Sequence, residues 1–527
     1  MSSLLPLAPS PIETPIPLGT NVTLDSEATF IDRELVSGGS PWRLLRLSGA
    51  SHALAERWKN GGVVQVGEER FARTLVLQGL LRPHFSAELH VDALDVVVPV
   101  FDDVSTLRTL LGQLEGFHVT VVDDASPKGD EISECCESFG AYLIRLDDNL
   151  GAARARNIGS IATTREFLWF IDADVSMDNT LDVAGRLFSV FGDPLVAAVA
   201  PRVCGSDGHS MRERFEHHFG PLDMGERSGL VVPGGVIGYV PSANMMVRRS
   251  AFGDGFDEAL RVGEDVDFVW RLHDAGWLVR YEAEIVVTHP PRDSWRSWWT
   301  QRQSYGASSA ALATRHGARL APLRADPWTL LAWTSVLIGQ PSIGARIIRS
   351  ARAHARDKFF QSTDNPNEVA KQVVSHNMLR AGGPLARAAV RTFGIFLLLA
   401  AIHPRLRKRA LILFGVGTAW RWRHRRLHVT DVPLGVADDL AYGTGVVQGV
   451  WRTKSLRSIT PHITKSSMNF RDVMGIRSIP DPDTDSDSDS GSADHKTRVA
   501  QATTEMMERW KSMIERLSKT WGRANRT

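Results

Sequence analysis

Cysteine is scarce in this chain: there are three in 527 residues, two of them adjacent at Cys135 and Cys136 and the third distant at Cys204. That number and spacing exclude a disulfide framework and a zinc site, and a reducing cytoplasm is the expected compartment. Excess charge is lacking as well. The formal net charge of +1 excludes nucleic-acid binding driven by bulk charge. Residues Met1 to Gly19 are rich in Pro, Ser and Leu but hold no basic region followed by a sustained apolar core, so they do not read as a signal peptide. They are expected to form a disordered arm. Long apolar runs are missing too. Thr392 to Ile402 and Ala410 to Trp420 are about eleven residues each, short of the roughly twenty that cross a bilayer. They flank the basic stretch Arg405 to Arg409, and Arg421 to Arg426 is basic again. Two readings stay open for them: core helices of a C-terminal helical region, or interfacial helices that make peripheral contact with anionic lipid.

What is present points to a large α/β domain with attachments, because 43% hydrophobic and 23% charged residues over this length suffice for a substantial core. Its organising stretch is Phe167 to Val175, where Phe-Leu-Trp-Phe-Ile runs into Asp172-Ala173-Asp174. An apolar run of this length suits a strand covered on both faces, as in a parallel sheet. In an extended chain residues two apart project to one side, so both carboxylates can face one ion at the strand's carboxyl end, where open α/β sheets bind ligands. Oxygen ligands of this kind suit Mg2+ or Mn2+ bridging to substrate phosphates. The plainer alternative is that Asp174 or Ser176 simply caps the next helix.

Alternation of strands and helices begins at Ala93, with strands expected at 94–100, 118–122, 142–146, 167–171 and 195–200. The first ends in Phe101-Asp102-Asp103 and the second in Asp123-Asp124-Ala125-Ser126. Three strands of one sheet therefore finish in carboxylates, which repel one another unless a cation or a hydrogen-bonding ligand is present. Between the third and fourth strands, Asp147 to Gly159 combines small residues at 151–153 with Arg154 and Arg156, a composition suited to a diphosphate. It falls short of a Gly-x-Gly-x-x-Gly fingerprint. Further on, Gly263-Glu264-Asp265 opens a helix whose apolar face is Val266, Phe268, Val269 and Leu272. A carboxylate in a first turn complements the helix dipole, or it serves as a general base for an attacking hydroxyl. A strand near 285–288 delivers His289 before Pro290-Pro291, which reads as a turn residue or a ligand. Trp295, Trp298 and Trp299 lie on one helix, as core or as a face for sugar rings.

At the front, Ala28 to Ile31 and Trp42 to Leu47 read as short strands, Ser48 caps a helix to about Lys59, and a second helix covers Gly67 to Leu81. This is a small winged-helix-like domain. Its second helix offers Arg70 and Arg73 opposed by Glu68 and Glu69, so peptide capture or a structural role is favoured over nucleic acid.

Val-Val-Val-Pro-Val-Phe-Asp-Asp (96–103), Val-Val-Asp-Asp-Ala-Ser (121–126), Asn149 to Gly159, Asp-Ala-Asp (172–174) and Gly-Glu-Asp (263–265) together resemble family 2 glycosyltransferases of the GT-A fold. The resemblance implies a mostly parallel GT-A sheet, a UDP-sugar donor, a divalent metal (Mg2+ or Mn2+) and inversion at the anomeric carbon. Matched position by position, it implies donor-binding roles for Pro99, Phe101, Asp103, Asp124, Arg156, Asn157 and Asp172. It further implies metal binding by Asp172 and Asp174, with Asp174 favoured as direct ligand, and a catalytic role for Asp265 with Glu264 beside it. His289 falls where some members place a further metal ligand. The Gln-x-x-Arg-Trp signature of long-chain polysaccharide synthases is missing, since 301–305 read Gln-Arg-Gln-Ser-Tyr. Gly38 to Leu47 and the helices after it resemble the PqqD-type peptide-recognition domain, and the fusion of the two is similar to the mycofactocin-system glycosyltransferases. That likeness implies glucose transfer, as short β-1,4 chains, to a peptide-derived redox cofactor or its precursor. The expected layout is a disordered arm at 1–26, a PqqD-like domain at 27–90 and a GT-A domain at 91–320. A helical, membrane-associated or soluble region follows at 321–470, then an acidic linker at 471–497 and an amphipathic helix at 498–527. The location expected is the cytoplasm or the cytoplasmic face of the membrane.

Overall fold

The computed structural model of the protein describes residues 5–464 except 87, 209, 361–362 and 423–428. The expected acidic linker and terminal helix lie outside the described residues. From Leu94 the chain alternates as expected: β1 (Leu94–Val100), α1 (Val104–Gln113), β2 (His118–Asp123), α2 (Gly129–Phe139), β3 (Tyr142–Arg145), α3 (Ala152–Ile161), β4 (Phe167–Ile171), α4 (Thr180–Ser189) and β5 (Val196–Gly205). There follow α5 (Met211–Phe219), the short β6 (Gly229–Leu230), β7 (Asn244–Arg248), α6 (Glu264–Asp274) and β8 (Leu278–His289).

These eight strands form one sheet in the order β6-β8-β5-β7-β4-β1-β2-β3. β3, β2, β1 and β4 run parallel, as do β5 and β8. β7 is antiparallel to both β4 and β5, and β6 is antiparallel to β8. The sheet is therefore mixed but mostly parallel, an α/β fold of the GT-A kind. All five residues of β4 are buried, because helices cover both faces of a central strand. Its Trp169 is sealed in the core and donates from Nε1 to Asn244 Oδ1 of β7 at 2.9 Å, which satisfies the one polar atom of the ring. Close helix packing depends on small residues. A Cβ on Gly159 of α3 would lie 2.3 Å from Val97 Cγ1, so glycine is what lets α3 rest directly on β1.

The front module differs from the expected layout at its start. Residues 21–24, assigned above to the disordered arm, form a strand paired with 62–63 and with 81–84. The residues before it are pinned as well: Trp277 Nε1 donates to Pro6 O at 2.8 Å, Ile16 is fully buried, and Arg73 Nε donates to Thr14 O at 2.7 Å. Pro and Ser here terminate regular structure without preventing order, because the partners are supplied by distant parts of the chain. The helices of the module are Gly49–Arg57, capped by the Ser48 side chain as expected, and Glu69–Leu77. Arg73 does not face outward. It makes a bidentate pair with Asp193, both bonds 2.7 Å and both residues buried, and so ties the module to the main sheet.

Beyond the sheet stand α7 (Trp295–His316), α8 (Pro327–Leu337), α9 (Pro341–Phe359), α10 (Pro366–Val374), α11 (Gly382–Ile402), α12 (Arg407–Trp422) and α13 (Val432–Thr453). The eleven-residue run expected at 392–402 is the second half of the 21-residue α11, which bends at Phe393. The first half escaped notice because its Gly, Ala and Arg residues break the apolar run without breaking the helix. The continuous stretch Pro366–Ile402 is long and apolar enough to cross a membrane by length and composition. Phe396, Leu399, Ile402, Leu411 and Ile412 are exposed on α11 and α12.

Candidate active site

The site lies at the carboxyl edge of β1, β2 and β4. Two residues there, Asp102 and Ala125, take positive φ values of 56° and 62°. Such backbone costs roughly 1–2 kcal/mol per residue for a side chain with a Cβ, and strain of this kind gathers at functional sites. It is held by side-chain hydrogen bonds: Ser126 Oγ accepts from Asp102 N at 2.8 Å, and Asp123 Oδ1 accepts from Ser126 N at 2.9 Å.

The Asp-x-Asp pair splits between two partners. Asp172 accepts from Arg156 Nη2 at 2.5 Å, and the same guanidinium donates from Nη1 to Glu264 Oε1 at 3.0 Å. Arg156 is almost fully buried and lies 5.6 Å from the Phe256 ring centroid. Burial works against its charge, but the Asp172 and Glu264 carboxylates outweigh that and raise its pKa. Asp174 Oδ2 instead meets His289 Nε2 at 3.1 Å. The His289 Nδ1–H donates to Pro290 O at 2.8 Å, which orients the ring and leaves Nε2 for Asp174. Burial disfavours a charged His289, yet the Asp174 hydrogen bond and charge prevail and raise its pKa. Burial likewise opposes ionisation of Asp174, and His289 overcomes it, so the carboxyl titrates below its usual range.

Gly263, at φ 87°, turns the chain into α6 and sets Glu264 and Asp265 in its first turn. Burial, and then the neighbouring Glu264 charge, push the Asp265 carboxyl up to about 7. Burial also raises Glu264, with Arg156 opposing. Asp265 Oδ1 accepts from Val266 N at 2.7 Å. A carboxylate that titrates near neutrality can take a proton from a hydroxyl and release it again, the property a general base needs.

The structure thus gathers Asp172, Asp174, Arg156, Glu264, Asp265 and His289. The other residues expected at the donor have the following partners. Asn157 donates from Nδ2 to Phe256 O at 2.9 Å and to Glu258 Oε1 at 3.0 Å, and its Oδ1 accepts from Phe256 N at 2.9 Å. Its amide thereby clamps the 256–258 segment to α3. Asp103 caps α1, its Oδ1 accepting from Thr106 N. Asp124 accepts from Leu150 N and Gly151 N, each at 2.8 Å, and so fixes the loop that begins α3. Pro99 is half-buried in β1, and Phe101 presents an exposed ring just beyond it. The residue sequence reasoning passed over is Asp123. It is fully buried, and its Oδ2 has no hydrogen-bond partner among the described residues, with Arg145 Nε 3.6 Å away. A buried acceptor left open calls for a donor from a ligand. Its place as the last residue of β2, in the Asp123-Asp124 pair, was the available signal.

Among the described residues no three His, Cys, Asp or Glu side chains converge as a metal cage. Asp174 and His289 do converge, in a donor set of one oxygen and one nitrogen. That set fits a Mg2+ or Mn2+ ion that takes its remaining ligands from phosphate and water. Asp172 is paired with Arg156 through Oδ1.

The model of the family "Glycosyl transferase family 2" matches residues 95–256. The chain is 35% identical over 480 residues to the pre-mycofactocin glycosyltransferase of Mycobacterium tuberculosis, covering 85% of this chain and 99% of that protein. It is 26% identical over 208 residues to an uncharacterized glycosyltransferase of Haemophilus influenzae, covering 37% of this chain and 67% of that one. Among solved structures it is similar to a mannosyltransferase of Pyrobaculum calidifontis in complex with GDP-Man and Mn2+, at 15% identity and a TM-score of 0.40, covering 70% and 91% of the two chains.

Proposed function

From the premise that this chain belongs to glycosyl transferase family 2, among the pre-mycofactocin glycosyltransferases, we propose that it moves glucose from UDP-glucose onto a mycofactocin-type, peptide-derived acceptor, in β-1,4-linked steps with inversion. It is a glycosyltransferase, and its substrates are a nucleotide-sugar donor and an acceptor. The observation that carries the reading is Asp265 at the start of α6, titrating near 7 and joined through Glu264 and Arg156 to the Asp-x-Asp strand end.

The acceptor hydroxyl oxygen attacks the anomeric carbon as its proton passes to an Asp265 carboxylate oxygen. The bond from that carbon to the diphosphate oxygen breaks, and its electron pair leaves with UDP. One displacement inverts the centre. Glu264, paired with Arg156, keeps negative charge beside Asp265 and holds its pKa high enough to accept the proton. Asp123 Oδ2 suits an N–H of the donor base, and the exposed Phe101 ring suits its face. A divalent ion held by Asp174 and His289 would neutralise charge on the departing diphosphate.

The front module, reading as PqqD-like, is assigned to the peptide-derived acceptor. The exposed apolar residues of α11 and α12 beside Arg405, Arg407, Lys408 and Arg409 favour peripheral contact with an anionic membrane from the cytoplasmic side. The test is mass spectrometry of the full chain incubated with UDP-glucose, a manganese salt and pre-mycofactocin, with Asp174→Ala as control. Successive hexose additions that vanish in the control are expected; donor cleavage without addition would overturn the acceptor.

A further inference from the structure

A cavity of about 440 Å³ lies between α9, α10 and the start of α11, and it shares no residue with the transfer centre. Along α9 it is lined by Ala351, His354, Ala355 and Lys358, whose three- and four-residue spacing puts them on one helix face. Opposite stand Val374 of α10, then Asn377 and Met378, then Ala381 just before α11. Arg324 and Asp326 close a third side, where residues 324–325 pair in parallel with 462–463. The space exists because the residues packed there are small. Ala332, Ala351, Ala355 and Ala370 supply four of the seven buried apolar side chains of this local core. The volume falls within the roughly 300–1,000 Å³ of small-molecule sites.

The lining divides by chemistry. Ala351, Ala355, Phe359, Val374, Met378 and Ala381 are apolar, whereas Arg324 and Lys358 are exposed cations with no ion-pair partner among the described residues. His354 is half-buried one turn before Lys358. Asp326 is the carboxylate of the lining, and it is engaged in capping α8: its Oδ1 accepts from Trp328 N at 3.0 Å and from Thr329 N at 3.1 Å, and its Oδ2 accepts from Thr329 Oγ1. The start of that helix offsets part of its charge. The uncharged polar side chains are Asn377 and Thr464, too few for a sugar or nucleotide, whose many polar groups need partners on burial. One wall is also irregular. Ser375–Leu379, which carries Asn377 and Met378, forms a π-helical turn, a rare conformation that is frequent at functional sites.

We propose that this cavity is a second ligand site, which takes an amphiphilic anion: an aliphatic chain ending in a carboxylate or a phosphate. The chain lies against Ala351, Ala355, Val374 and Met378, where leaving water drives its binding. Its anionic oxygens meet Arg324 and Lys358. A guanidinium matches either head group, and a lysine stem lies along apolar surface while its ammonium stays in water. The inference stands apart from the transferase reading, because none of its residues belongs to the Asp265 or Asp174 clusters. A mere packing gap among small residues would accept an aliphatic chain whatever the sign of its head group.

The experiment is isothermal titration of the full chain with dodecanoate, dodecyl phosphate and dodecyltrimethylammonium, each below its micellar concentration. One molecule of at least one of the two acids should bind per chain, about ten-fold or more tightly than the cation; which acid binds better identifies the head group. Lys358→Glu, at an exposed position, should remove the preference for the acids, and Ala355→Trp should fill the space and abolish binding, with near-UV circular dichroism confirming that each variant is folded. Arg407→Glu with Lys408→Glu, on α12 outside the cavity lining, should leave the titration unchanged. Equal binding of acids and cation, several molecules per chain, or no binding by the wild type overturns the assignment even if Ala355→Trp fails to fold. Loss of binding in the α12 variant with full retention in Lys358→Glu also overturns it, since the amphiphile then sits on the exposed face of α11 and α12.

Discussion

Replacing Asp265 with Asn separates the base from its electrostatic cost. The pKa of the folded group, about 7, stands above its ordinary 3.8, so folding favours the neutral form. Stability that the protonated carboxyl contributes is full below 3.8 and is lost as pH rises through about 7. At roughly 1.4 kcal/mol per pH unit, ionised Asp265 costs the wild type at most about 4 kcal/mol above pH 7. Asparagine keeps the shape and cannot ionise. Urea denaturation of both proteins between pH 5 and 8.5 should therefore show the variant gaining on the wild type by up to about 1.4 kcal/mol per unit as far as pH 7, and then levelling. Transfer by the wild type should rise with pH through the same region, while the variant loses about 100-fold or more and keeps UDP affinity within a few-fold. A stability difference that does not change with pH would refute the buried-carboxylate argument. A comparable loss of UDP affinity would refute the assignment of Asp265 to proton transfer.

Asp174→Ala should lower transfer by about 100-fold or more, and saturating Mn2+ should not restore it. Isothermal titration of Mn2+ in the presence of UDP is the check, with unaltered metal affinity counting against Asp174 as ligand. Arg73→Ala leaves Asp193 buried and unpaired, so chemical denaturation should report a loss of about 3–5 kcal/mol. Gly306→Leu forces side-chain atoms into the Tyr442 carbonyl and should lower stability by about 1–3 kcal/mol, read as an earlier melting transition.

How much of this was legible depends on the range of the interaction. The β4 run and the acid-ended strands declared themselves locally, because burial on both faces writes an uninterrupted apolar run, whereas Asp172 and Asp174 lie in the turn after it and take different partners, Arg156 and His289. The first turn of α6 was equally plain. What the sequence concealed were partnerships over long separations. Asn157 sits in a segment that reads as a donor motif, yet its amide is consumed by residues 99 and 101 positions away. Arg156, suited by composition to a diphosphate, is taken by Asp172 and Glu264. The front arm reads as unstructured by composition because nothing in residues 5–26 announces Trp277 or Arg73 as partners. α11 was cut in half because its contacts favour glycine: a Cβ on Gly383 would lie 2.0 Å from the Trp420 ring. Small residues lower local hydrophobicity at the points where helices meet most closely.

The shared guanidinium of Arg156 has a consequence for the order in which things happen. Asp172 at the strand end and Glu264 beside the base lean on one positive group, so whatever draws Asp172 away at the donor end leaves Arg156 more fully to Glu264. That shift lessens the negative field that keeps Asp265 protonated near neutrality. Asp265 is thereby coupled by charge, through Glu264 and Arg156, to the end of the Asp-x-Asp strand.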